Sequence, residues 1–193
     1  MWLGVAVAVL ALAVSAWWVF GKSSSPSPSK ASSSSNSGRS SGGGVAAAQH
    51  RVSASVTVAA PQGVIEPYLR EAARMRLWMK ELQDVQNVPG SPNGEMLLVV
   101  GAHRAVVRVT PGKPSAPGRI ALTYACAGNF TEEGEFSFVA AKPATTVVHY
   151  ESTVSYGARV APKDCADLVE KAALLMQAQL QLLKGVVEQD ASN

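Results

Sequence analysis

Residues that usually announce chemistry are scarce in this chain. Its 193 residues include two cysteines, Cys126 and Cys165, and three histidines, His50, His103 and His149, spread too widely for a local metal motif. Nothing in the sequence calls for a metal or a cofactor. Whether the cysteines pair depends on compartment, because a cytoplasmic domain keeps its thiols reduced and an exported one does not. GxSxG, HExxH, paired CxxC and the glycine-rich nucleotide fingerprint are all missing, and Gly112-Lys113-Pro114 lacks the pattern of a phosphate loop. Charge is nearly absent at the start, where Lys22, Lys30 and Arg39 are the only charged side chains before residue 49. The 17 basic residues less these three equal the 14 acidic ones, so the rest of the chain is formally neutral. It gathers no Lys and Arg cluster, which argues against a nucleic-acid partner.

What is present divides the chain into three parts. Residues 2–20 hold no charge and no proline, and approach the roughly 20 residues that cross a bilayer as a helix. Trp17 and Trp18 sit near one end, where amphipathic rings favour the interface. This predicts a membrane anchor over residues 1–21. The rival is a cleaved secretory signal, for which Val14-Ser15-Ala16 offers small residues, but no Lys or Arg precedes the apolar run. Lys22 and Lys30 follow it closely, so the positive-inside tendency places a single-pass chain with its domain in the cytoplasm, with export to a periplasm as the alternative. Residues 22–48 are rich in Ser, Gly and Pro and read as a disordered tether, with a reach of roughly 25 to 30 Å.

Residues 49–190 carry the periodicities of a folded domain. Val52, Ala54, Val56 and Val58 alternate with polar residues, as a half-buried strand requires. Ala59-Ala60-Pro61 breaks that pattern, and the apolar spacing from Val64 to Trp78 suits one or two short helices bent near Pro67. Six further strands are read near residues 82–88, 95–101, 103–110, 118–127, 134–141 and 144–155. Turn-forming residues separate them, with Glu132-Glu133-Gly134 taken as the turn before the sixth strand. A long helix after Pro162, with Asp164 as its cap, places Leu168, Ala172, Leu175, Met176, Gln179, Leu183, Val186 and Val187 on one face. The fold class is therefore α+β.

This order resembles the START-like superfamily, also called SRPBCC, across residues 50–189. The resemblance rests on Val52 to Val64 with its Ala60-Pro61 pair, on Trp78 with Leu82 and Val85, and on Leu182-Leu183-Lys184-Gly185-Val186-Val187-Glu188. It is similar to the polyketide cyclase/dehydrase and lipid-transport members. The resemblance implies a helix-grip fold, in which a seven-stranded curved antiparallel sheet wraps around the terminal helix and leaves an apolar cavity between them. It also implies binding of a lipid or other apolar small molecule, with catalysis in some members. The membrane anchor and tether depart from the family pattern and suggest a domain that presents or accepts its ligand near a membrane.

Strand parity puts Ile120, Leu122, Tyr124 and Cys126 on one face, Phe136 and Phe138 on another, and Val148, Tyr150 and Val154 on a third. The expected ligand-lining set is Trp78, Leu122, Tyr124, Cys126, Phe136, Phe138, Tyr150 and Met176. Tyr124 and Tyr150 would orient a ligand's polar end, or serve as ordinary core aromatics. An enzyme of this type would use His103 or Tyr124 as acid or base. His149 has the parity of a solvent-facing residue, and Glu132, Glu133 and Glu135 read as a solvated turn. A third reading is a protein-interaction module whose interior is filled.

Overall fold

The computed structural model describes residues 49–91, 94–101, 104–127, 129–157 and 160–192. The anchor and tether expected over residues 1–48 lie outside the described residues. Among the described residues no helix is long and apolar enough to cross a membrane.

The chain runs β1 (Gln49–Val58), α1 (Gln62–Arg70), α2 (Ala72–Trp78), β2 (Leu82–Asn87), β3 (Met96–Val100), β4 (Ala105–Pro111), β5 (Ile120–Cys126), β6 (Phe130–Lys142), β7 (Thr145–Tyr156) and α3 (Pro162–Ala191). The seven strands form one antiparallel sheet in the order β1-β7-β6-β5-β4-β3-β2. Connections from β2 to β7 join neighbours in the sheet, whereas the two short helices carry the chain from one edge, β1, to the other, β2. That crossover brings α1 and α2 against α3 on the buried face.

Alternation decides which face is buried. Ile120, Leu122, Tyr124 and Cys126 of β5 are buried, as are Val148, Tyr150 and Val154 of β7, which are fully inaccessible. Val52, Val56 and Val58 of β1 complete the same layer. Leu168, Ala172, Met176, Gln179, Leu183 and Val187 of α3 are buried as their spacing predicts, and Leu180 joins them. The stripe is wider than a single face because α3 touches α1 and α2 as well as the sheet. Burying a side chain such as Leu180 or Leu183 contributes about 1.5 to 3 kcal/mol each.

The edge strand β1 shows why α3 lies where it does. An edge leaves backbone groups unpaired, and such an edge recruits other strands unless it is covered. Here Gln177 accepts from the Ser55 amide at 3.2 Å and donates to the Ser55 carbonyl at 2.8 Å. Lys184 donates to the Thr57 carbonyl at 2.9 Å, and Glu188 accepts from the Ala59 amide at 2.7 Å. Alternate backbone positions from Ser55 to Ala59, at the end of β1 and just past it, are thus met by three side chains of the helix. Within the Leu182 to Glu188 segment, Lys184 and Glu188 have this structural use.

Three boundaries depart from expectation. The break between the short helices falls at Glu71 (φ −95, ψ 121) rather than at Pro67, which sits inside α1. Pro67 is accommodated inside α1, and its carbonyl accepts from the Glu71 amide at 2.9 Å at the break. The cap of α3 is Ala161, not Asp164, because Pro162 fixes the first helical turn without needing an amide partner. Finally, β6 begins at Phe130, so Glu132, Glu133 and Gly134 belong to a strand and not to a turn.

Candidate functional site

The loop from β4 to β5 lies beside the end of α1. Between them lies a pocket of about 320 Å³, lined by Leu69 and Arg70, by Met96, and by Arg119 to Leu122 at the start of β5. Its floor is apolar. The two arginines at its rim are each held by a carboxylate, Arg119 by Glu135 at 2.7 Å and Arg70 by Glu66 at 3.6 Å, so the mouth has little net charge.

Behind the mouth, Leu69 and Leu122 also border an enclosed space shared with Met75, Trp78, Tyr124 and Phe136. That space measures about 10 Å³, room for one water at most. A roomy cavity lined by Trp78, Leu122, Tyr124 and Phe136 was expected here, and the structure corrects that. Large side chains pack on one another instead: Phe136 and Tyr150 stand 4.7 Å apart, and the Trp78 indole donates to the Tyr68 carbonyl at 2.9 Å.

The inward face of β5 and β6 leads from that mouth in three rungs. Ile120 pairs with Phe136, Leu122 with Gly134, and Tyr124 with Glu132. Glu132 is therefore deep in the protein, 3% exposed, and corrects its reading as a solvated turn. The signal was present in the sequence, because the parity of Phe136 and Phe138 carried back two rungs reaches Glu132. Three glutamates in four residues masked it.

Both hydrogen bonds that Glu132 receives fall on Oε1, from the Tyr150 hydroxyl at 2.7 Å and from the Ser152 hydroxyl at 2.7 Å. Gly134 makes this possible. A methyl group there would meet two ring carbons of Tyr150 at 2.7 Å, so only glycine lets that ring cross β6 to reach the acid. Burial pushes the Glu132 carboxyl above its ordinary range, against the opposing pull of Ser152 and Tyr150. Burial also raises the Tyr124 hydroxyl, and Glu132 adds to that shift. Tyr124 thus stays protonated and is unsuited to act as a base. Nearby, the Tyr156 hydroxyl and His50 Nε2 are buried without hydrogen-bond partners among the described residues, their rings 5.8 Å apart.

The remaining expected site residues are distributed more plainly. Tyr150 is fully buried, Cys126 and Met176 are buried, and Phe138 is half-buried. Cys126 and Cys165 are both free thiols. His149 is half-buried on the outer face. His103 lies outside the described residues. Among the described residues no three His, Cys, Asp or Glu side chains gather closely enough to hold a metal. A shallower hollow of about 580 Å³ lies on the outer face between Arg51, Glu133 and Glu151, and it is polar.

Comparison with solved structures decides the architecture. A START superfamily protein from Mycobacterium smegmatis superposes with a TM-score of 0.59 at 21% identity, over 72% of this chain and 98% of that one. The chain has the START-like helix-grip fold. The Zhui aromatase/cyclase from a Streptomyces species gives a TM-score of 0.62 at 16% identity, over 75% of this chain and 96% of that one. A norcoclaurine synthase from Thalictrum gives 0.55 at 10% identity, over 76% and 99%. No protein-family model and no curated protein matches the sequence. These likenesses establish the SRPBCC fold, and the chemistry must come from the site itself.

Proposed function

We infer that the domain binds an apolar small molecule or lipid, admitted at the mouth between α1 and the β4–β5 loop. The observation that carries this reading is that Leu69 and Leu122 belong both to the 320 Å³ pocket and to the closed space behind it. Two apolar side chains form the partition. Movement of Leu69 and Leu122 would join the volumes, and the filled interior is then the ligand-free state. The fold supports the reading, since a sheet gripping a helix offers a mostly apolar interior with few polar groups to orient a ligand. Tethering by residues 2–20 would hold the mouth within reach of a membrane, from which such a ligand could be taken or to which it could be returned.

Titration of purified residues 49–193 with lipids and polyaromatic compounds tests this. A ligand at 100 times its dissociation constant should stabilise the fold by about 2.7 kcal/mol, read as a raised melting temperature. Leu122→Trp, which fills the partition, should abolish the shift. A wild-type domain indifferent to the whole panel would contradict the reading, and a melt of the ligand-free variant shows that it folds. Fusion of a reporter after residue 193 tests the cytoplasmic placement: protection from protease after the outer envelope is removed supports it, and cleavage refutes it.

A further inference from the structure

We propose that Glu132 is a hydrogen-bond donor at the inner end of the ligand path, selecting neutral apolar ligands that carry a carbonyl or ether oxygen. This rests on the ligand-binding reading and deepens it. The geometry comes first. Tyr150 and Ser152 both donate to Oε1, and no described residue bonds Oε2. When the acid is neutral, the two donors on Oε1 leave Oε2 to carry the proton. Burial of Glu132 to 3% exposure, with no buried lysine or arginine among the described residues, favours that neutral form over the pull of the two donors. Glu132 is also the cross-strand partner of Tyr124, which borders the space closed by Leu69 and Leu122. From Leu122 to Tyr124 along β5 is two residues, about 7 Å. A bicyclic molecule entering past Leu122 would therefore bring its leading atom to the Tyr124 and Glu132 rung.

The surroundings decide the ligand's charge. The ionisable groups facing this position are Tyr124 on β5 and Tyr150 and Tyr156 on β7, with Cys165 of α3 acting on Tyr156 and His50 of β1 beside that ring. Among the described residues no lysine or arginine is buried. Among them an anionic ligand meets no buried counter-charge. A cationic one would require Glu132 to ionise, and both charges would lose their hydration. A neutral oxygen acceptor needs neither and takes the proton that Oε2 offers. Burial, which keeps the carboxyl in its acid form, agrees with this assignment.

Glutamine at this position reproduces the arrangement, because its carbonyl can accept from Tyr150 and Ser152 while its amide donates inward. Leucine removes the donor. The test measures equilibrium binding of acetylnaphthalene and ethylnaphthalene, molecules of similar shape that differ in one carbonyl oxygen. It uses the full chain in lipid nanodiscs, with protein-free nanodiscs correcting for partition. The proposal predicts that wild type and Glu132→Gln favour the acetyl compound about five- to tenfold beyond partition, and that Glu132→Leu loses this preference. Loss of the preference in Glu132→Gln as well as in Glu132→Leu would show that the carboxyl itself, and not an inward donor, is required and would overturn the proposal. Equal binding of the two probes by wild type would leave ligand binding standing and sink the donor. Binding of neither probe would overturn both.

Discussion

Along the β1 edge, the polar side chains of α3 are consumed by structure: Gln177, Lys184 and Glu188 each meet a backbone group of Ser55, Thr57 or Ala59. Along the inner face of β6, no described residue bonds the second carboxyl oxygen of Glu132, and the Tyr156 hydroxyl and His50 Nε2 nearby have no hydrogen-bond partner among the described residues. The first region is half in water, where an unmade bond is replaced by solvent. The second is buried, where an unmade bond such as that of the Tyr156 hydroxyl costs on the order of 1 to 3 kcal/mol. A fold that tolerates such costs in its interior retains polar capacity for something other than folding, which is why the site is sought at β6 and not at the better-bonded seam.

The largest expected break in that contrast is Gly134→Val. A branched side chain would drive Tyr150 from its place, costing about 3 kcal/mol from overpacking and from stranding Glu132. Chemical denaturation followed by circular dichroism checks this, and an unchanged midpoint would contradict the packing. Next is the pH dependence attached to Glu132. Its folded-state carboxyl binds a proton more tightly than the unfolded one, so its contribution is fully present at low pH. That contribution is lost as pH rises from about 4 through the higher folded value. Stability of Glu132→Gln should therefore gain on wild type as pH rises above about 4, and parallel curves would show an ionised acid. The smallest effect belongs to the seam. Gln177→Ala should cost about 0.5 to 1 kcal/mol, because water replaces both lost bonds at an exposed edge.

Much of the frame was legible in the sequence. Val52, Val56 and Val58 alternate, Leu168 to Val187 follow a helical period, and the Tyr124 and Tyr150 parities are those observed, because one-sided burial imposes those spacings directly. Glu132 was missed because a carboxylate among other carboxylates argues for water, and only the strand register outweighs that argument. The volume of the interior was illegible for a different reason. Whether Trp78, Tyr124 and Phe136 line a cavity or fill it depends on rotamers and curvature, which no spacing encodes. Leu180 was overlooked because α3 packs on two partners at once.

The account depends on ligand reaching the interior past Leu69 and Leu122, and backbone chemical shifts during titration with acetylnaphthalene test this most directly. It predicts saturable changes at Leu69, Leu122 and Tyr124 that spread to Glu132. Changes confined to Arg51, Glu133 and Glu151 on the outer face would contradict it, as would none at all.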